Sequence, residues 1–252
     1  MIPKVIHYIW FGNNPHTPIQ NRCIESWSHY APDYKIIRWD ETNCDVNETV
    51  YTSQAYAEKK WAFVSDYFRF KILFLFGGFY IDTDVELHQS IEFLCDHKAF
   101  FAFEKQDFVN AGFMGSTPGH PIIKCILSSY KDDVFIFRNG NYNLLTIPLR
   151  TTKALRRIGL ALNGSKQHLK SEVMIFPVNY LTLNMEDGHS VAEHHYEASW
   201  SDKKRAKSYK SYLIREYTKT GTVSIVRRWI KRGISRLKFM YVKFTCLRTN
   251  KI

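Results

Sequence analysis

Apolar positions recur along the chain with two periods, and the switch between them marks the elements. Trp61, Val64, Phe68, Ile72 and Leu75 follow one another at intervals of three and four, the spacing of one buried helix face. Gly77-Gly78 then ends the predicted helix, because glycine takes the left-handed conformation that a helix C-terminus commonly needs. Phe79-Tyr80-Ile81 reads as a short strand, with Asp82 and Asp84 at its carboxyl end. Asp66 and Arg69 lie three apart on the helix, so their side chains are neighbours. Polar groups at a strand end, beside a helix bearing a charged pair, are how an α/β protein builds a ligand site.

The remaining pattern extends this unit. Residues 4–11 (KVIHYIWF) alternate and are rich in β-branched and aromatic side chains, which predicts a strand closed by the turn Gly12-Asn13-Asn14-Pro15. A helix is expected over 21–29 and a strand over 34–40, with 41–52 polar and irregular. Strands are expected over 100–104, 111–115 and 173–177. Helices are expected over 121–130, where Pro121 sits in the first turn, and over 151–162. Residues 131–150 give weaker signals. Strands alternating with helices imply an α/β fold whose mostly parallel sheet is flanked by helices on both faces.

Charge divides the 252 residues in two. The formal net charge is +11, yet residues 203–252 hold sixteen Lys/Arg against one acid, Glu216. Residues 1–202 hold nineteen Lys/Arg against 23 acids and are mildly acidic. A catalytic domain over 1–202 and a basic tail over 203–252 are therefore expected. In the tail, Val223, Val226, Ile230, Ile234 and Leu237 form an apolar stripe, with Arg227, Arg228, Lys231, Arg232 and Lys238 largely off it. A basic amphipathic helix with interfacial aromatics such as Trp229 and Tyr241 reads as peripheral attachment to an anionic membrane surface, over 223–244. Nucleic acid is the competing partner for such a tail and is not expected, since no recognition motif accompanies it. Five scattered cysteines without a C-x-x-C pair suggest neither a zinc framework nor a disulfide scaffold. No signal peptide is expected from the opening Met1-Ile2-Pro3-Lys4, and the longest apolar run is about half of the ~20 residues that span a bilayer.

Asp82-Thr83-Asp84 carries the chemistry. On an extended segment, residues two apart share a face at roughly 6–7 Å. Two carboxylates so placed repel one another unless a cation lies beside them, which suits a hard divalent metal bridging to phosphate oxygens. An Asp-x-Asp pair by itself is common, and a polar strand end explains it equally well. Asp66 and Arg69 taken alone read more readily as a surface ion pair, and Trp10 and Tyr80 as core aromatics.

Four ordered blocks change that balance. Ser65-Asp66-x-x-Arg69 with Gly77-Gly78-x-Tyr80-x-Asp82-x-Asp84-x-Glu86 resembles the signature of sugar-transferring glycosyltransferases with an Asp-x-Asp motif. More narrowly it is similar to glycosyltransferase family 32, which includes bacterial capsule and lipopolysaccharide sugar transferases and yeast Golgi mannosyltransferases. Ile2-Pro3-Lys4-x-Ile6-His7-x-x-Trp10-Phe11-Gly12 resembles that family's first strand. Asn110-Ala111-Gly112-Phe113-Met114 with Pro118-Gly119-His120-Pro121 resembles a later block, and His194-His195-Tyr196-x-x-Ser199-Trp200 the closing one.

The resemblance implies a GT-A fold, Rossmann-like and nucleotide-sugar-binding, and a retaining, metal-dependent hexosyltransferase. Trp10 would stack on the base, while Asp66, Arg69, Tyr80, Asp82 and Asn110 would hold the donor and Ser199 and Trp200 would close over the diphosphate. Asp84 would bind Mn²⁺ or Mg²⁺, with His194 or His195 as a second ligand. These two histidines point to opposite sides of an extended segment, so at most one is expected to serve. The donor implied is a UDP-sugar, with GDP-mannose open. The acceptor implied is a glycan or lipid-linked saccharide in surface polysaccharide synthesis, at the cytoplasmic face of the inner membrane. The departing phosphate can itself accept the acceptor's proton, so no enzymic nucleophile is named. The chain departs from the family pattern at Thr146-Ile147-Pro148, where Gly-Pro is usual. A reading of a different class stays open: a non-catalytic basic protein that binds membrane or RNA through its tail.

Overall fold

A computed structural model describes residues 1–184 and 190–197. Ser199, Trp200 and the basic tail lie outside the described residues. Strand β1 (Val5–Ile9) is followed by α1 (Pro18–Tyr30), β2 (Lys35–Trp39), α2 (Val50–Ala57) and α3 (Trp61–Phe76). Next come β3 (Gly78–Ile81), β4 (Val85–Leu87), β5 (Ala99–Lys105), β6 (Phe108–Ser116), α4 (Pro121–Ser128) and α5 (Ile147–Arg156). The described chain closes with β7 (Gln167–Leu169), β8 (Val173–Phe176), α6 (Val178–Leu181) and β9 (Ala192–His194).

Seven strands form one sheet in the order β2-β1-β3-β6-β5-β8-β7, and β4 pairs with β9 in a separate two-stranded ribbon. β2, β1 and β3 run parallel, β6 runs against β3 and β5, and β8 is parallel to β5 with β7 against it. Five of the seven strands therefore share one direction, as expected, with β6 and β7 reversed. Ile6, Phe79, Ile81, Phe100 and Phe113 pack with Trp27 of α1 on one face. Period-2 alternation sends Tyr80 to the other face, where α3 lies against it.

Several predicted boundaries move, for local reasons. α1 begins at Pro18 because Thr17 and Gln20 form a reciprocal capping box. α2 was not anticipated: Thr49 and Thr52 cap it in the same way, inside a stretch whose polarity reads as loop. α5 starts four residues before its predicted position, with Pro148 in its first turn, and it ends at Arg156. α3 is buried nearly all round, Tyr67, Phe70 and Leu73 included, while Leu75 of the predicted buried face is exposed. Gly77 does not take the left-handed helical conformation; its φ of 65° and ψ of −154° fall in a region open essentially to glycine alone. A Cβ there would lie 2.6 Å from Pro118 Cδ, and one on Gly78 (φ 90°) would lie 2.6 Å from the Val5 carbonyl oxygen. The pair lets α3 turn sharply into β3, which brings Asp66 and Arg69 back over Tyr80.

His7 locks the same junction from β1. Its Nε2 lies 3.0 Å from the Gly77 carbonyl oxygen, and Trp39 Nε1 donates to its Nδ1 at 3.0 Å. Burial pushes this imidazole down from 6.5 to about 4, the Gly77 carbonyl opposing. The unfolded chain therefore takes up this proton at higher pH than the fold does. The contribution is complete above 6.5 and is lost as pH falls through the window to 4, about 3 kcal/mol in all. Denaturant titrations of wild type and His7→Gln across that window are expected to converge as pH falls. A constant difference between the two would exclude the effect.

Candidate functional site

α3 presents Asp66 and Arg69 inward rather than to solvent. Their ion pair closes at 3.1 Å, with side chains only 11% and 7% exposed. Arg69 is held on every side: Nη1 lies 3.3 Å from Asp82 Oδ2 and donates to the Ala111 carbonyl at 3.0 Å, and its Cζ sits 4.7 Å from the Tyr80 ring centre. Tyr80 donates its hydroxyl to Asp82 Oδ1 at 2.7 Å. A guanidinium fixed in this way is a rigid cation aimed at the strand end. Burial pushes the Asp66 carboxyl up to about 6, Arg69 opposing and Asp82 adding to the rise. Burial also acts against the Arg69 charge, but Asp82, Tyr80 and Asp66 outweigh it and raise its affinity for the proton.

Asp82-Thr83-Asp84 is a turn between β3 and β4, not the extended segment expected. The Val85 amide donates to the Asp82 carbonyl at 2.9 Å, a bond across four residues that folds the chain back. β4 then pairs with β9 so that Val85 stands opposite His194. His194 Nε2 lies 3.2 Å from Asp84 Oδ1, and the Glu197 amide donates to Asp84 Oδ2 at 2.9 Å. Burial opposes ionisation of Asp84, but the His194 charge and the hydrogen bonds from His194 and Glu197 outweigh it and hold the carboxyl low. Burial lowers the basicity of His194 in turn, and Asp84 with Asp82 more than restores it.

Of the two candidate histidines, His194 joins the aspartates. His195 turns away from them, with Nε2 2.7 Å from Glu86 Oε2, so that one of the two, as expected, lies with Asp82 and Asp84. Ligand atoms of Asp82, Asp84 and His194 all lie within 4.8 Å of one another. Two carboxylates and an imidazole form a donor set that Mn²⁺ accepts readily. The floor of this cradle needs glycine: a Cβ on Gly112 would lie 2.7 Å from Asp82 Oδ2 and 3.1 Å from His194 Cε1. Asn110 is buried behind it, with Nδ2 3.3 Å from His194 Nδ1 and Oδ1 accepting from the Gly112 amide. Asn110 thus orients a candidate ligand from the second layer.

Trp10 follows β1 at the carboxyl edge. β1 pairs His7 with Tyr80 in parallel, so Trp10 follows β1 on the same side of the sheet on which β3 ends and the Asp82–Asp84 turn begins. Its indole donates to the Asn14 carbonyl at 2.7 Å and packs edge-on against His16, and it is only partly buried. Sequence reasoning assigned no role to Gly112, the Glu197 amide or the Ala111 carbonyl. The last two act through backbone atoms, which carry no residue signature. Gly112 stands in Asn110-Ala111-Gly112-Phe113-Met114, and only the fold reveals what its missing side chain makes room for.

Residues 18–101 match the family described as glycosyltransferase sugar-binding region containing DXD motif. The matched span contains Asp66, Arg69, Asp82 and Asp84. Over 161 residues, 60% of this chain and 42% of the relative, the sequence is 26% identical to inositol phosphoceramide mannosyltransferase 3 of Schizosaccharomyces pombe. Over 138 residues, 52% of this chain and 36% of the relative, it is 28% identical to mannosyl phosphorylinositol ceramide synthase CSH1 of Saccharomyces cerevisiae. The chain spans less than half the length of these curated relatives. Among solved structures, the PaToxG glycosyltransferase is 21% identical at a TM-score of 0.48, covering 62% of this chain and 68% of that one.

Proposed function

We propose, from the premise that the chain is a glycosyltransferase carrying the DXD sugar-binding region, that it is a metal-dependent, retaining hexosyltransferase of GT-A type. The observation that carries this reading is the junction of two clusters at Asp82: the buried Asp66–Arg69 pair on one side, Asp84 with His194 on the other. Asp82, Asp84 and His194 would hold Mn²⁺ or Mg²⁺, which when bound would neutralise charge on the departing nucleoside diphosphate. Arg69 adds a fixed positive charge beside the same leaving group. Asp66 accepts from the donor sugar's hydroxyls and stabilises positive charge developing at its anomeric carbon. Trp10, at the same edge, stacks on the base.

A UDP-sugar is the donor proposed, in keeping with the resemblance of the sequence blocks to family 32. A mannose donor, GDP-mannose, is the second reading, favoured by the names of the two fungal relatives. The acceptor proposed is a glycan or lipid-linked saccharide of surface polysaccharide, reached at the cytoplasmic face of the inner membrane. Nucleotide release from UDP-glucose, UDP-galactose, UDP-N-acetylglucosamine and GDP-mannose with Mn²⁺ decides between the donors. One donor is expected to exceed the rest by at least about tenfold, as a site built to bond hydroxyls rejects their epimers. Absence of Mn²⁺-dependent release from all four would favour the non-catalytic membrane- or RNA-binding reading.

A further inference from the structure

Four of the large apolar side chains exposed on the described surface fall within nine residues: Phe137 at 42%, Tyr142 at 37%, Leu144 at 62% and Leu145 at 41%. They belong to one irregular hairpin between α4 and α5, closed by an antiparallel bridge from Ile136 to Tyr142 and turning at Gly140. The hairpin is anchored. Gln54 Oε1 accepts from the amides of both Phe135 and Ile136 at 2.9 Å, Phe135 is fully buried against Phe63, and Tyr142 donates to Glu58 at 2.6 Å. Asn143, between Tyr142 and the two leucines, is buried and donates to the Val134 carbonyl. A firm base carrying exposed apolar tips differs from a loop that merely lacks partners.

The surroundings indicate what the tips meet. Arg138 adjoins Phe137 at the turn, Lys60 lies 5.7 Å from the centre of the Tyr142 ring, and Lys59 and Lys131 are exposed nearby. Among neighbouring acids Asp133 is paired with Arg150, and Lys59, Lys60, Lys131 and Arg138 outnumber the remaining Glu58 and Asp132. Apolar tips ringed by cations match an anionic lipid surface, where the tips enter the acyl boundary and the cations stay among the headgroups. The hairpin's position agrees. It packs on residues 54–63, where α3 begins, and Trp61 there lies against Gly12 beyond the carboxyl end of β1. The base of the hairpin therefore lies toward the edge of the sheet where β1 and β3 end.

We propose that residues 134–145 form a membrane-dipping hairpin that seats the catalytic edge on an anionic bilayer. These residues are distinct in sequence from the basic tail, and the hairpin would bring the site to an acceptor at the lipid interface. In that last respect it rests on the proposed lipid-linked acceptor.

The test is co-sedimentation of the full chain with phosphatidylglycerol/phosphatidylcholine vesicles, at low salt and at roughly 0.5 M salt, where exposed charge attraction is largely screened. Wild type is expected to stay bound at high salt. The Phe137→Ser/Leu144→Ser/Leu145→Ser variant is expected to partition about tenfold or more less, since three side chains no longer enter the acyl boundary. Leu75→Ser, an exposed apolar residue at the far end of α3, is the control and is expected to bind as wild type does. Mn²⁺-dependent nucleotide release by the triple variant reports its folding and tests the enzyme separately from the membrane surface. Equal partition of triple variant and wild type overturns the proposal, as does complete release of wild type by salt. A change from dimer to monomer with vesicle binding intact would reassign the hairpin to self-association and overturn it too.

Discussion

Asp84→Asn is expected to lower sugar transfer by at least about a thousandfold at saturating donor, because it removes a carboxylate charge from the cation cradle. Asparagine keeps the shape and can still accept the Glu197 amide that Asp84 Oδ2 accepts at 2.9 Å, so the turn survives. What goes is the negative charge, which His194 and Glu197 keep ionised against burial. Because its folded-state pKa is depressed, Asp84 contributes stability at neutral pH that is lost only as pH falls through that lowered value. The variant should therefore unfold slightly earlier than wild type at pH 7, while losing activity far out of proportion. His194→Asn leaves two carboxylates, so raising Mn²⁺ should restore part of its rate. His195→Asn, whose ring lies against Glu86, should need no such supplement. Wild-type turnover by Asp84→Asn, or a His195 variant that needs extra Mn²⁺ while the His194 variant does not, would refute this assignment of the cradle.

The sequence was most legible where one signal was strong and local. The helix–glycine–strand unit around Asp66 could be read from apolar spacing and two glycines, because a sharp reversal between a packed helix and a central strand admits little else. The Asp-x-Asp geometry could not be. Alternation in Phe79-Tyr80-Ile81 suggested that the strand continues, whereas the chain turns at Thr83, and a turn closed by one backbone bond leaves little trace in side-chain pattern. The partner of Asp84 illustrates the opposite case. Two adjacent histidines pointing opposite ways follow from strand geometry alone, but only the register of β4 on β9 decides which meets Asp84. Pairing over more than a hundred residues is set by tertiary packing, as is burial of the Asp66–Arg69 pair. On spacing alone that pair is indistinguishable from a solvated ion pair of ~0.2–0.5 kcal/mol.

That burial yields the second large effect. Asp66→Asn is expected to cost at least about a hundredfold in turnover, because a neutral amide cannot stabilise positive charge on the reacting sugar, yet to stabilise the fold at alkaline pH. The buried pair Asp66 and Arg69, with the partly exposed Asp82 beside it, holds one more negative than positive charge, and burial lifts the Asp66 carboxyl from 3.8 to about 6. Between those values the folded state binds this proton and the unfolded state does not, so the contribution of Asp66 to stability declines as pH rises through the window. Above 6 the full cost of ionisation is present, about 3 kcal/mol. Asparagine avoids it and can still accept from Arg69. The melting temperature of the variant relative to wild type should thus be higher at pH 8 than at pH 5. His7 imposes a slope of opposite sign over nearly the same range, so only the difference between variant and wild type isolates Asp66. A variant less stable than wild type at pH 8, or one with full turnover, would mean that the carboxylate is retained for the fold. Lost turnover with gained stability would mean that the fold tolerates a costly buried charge for its chemistry.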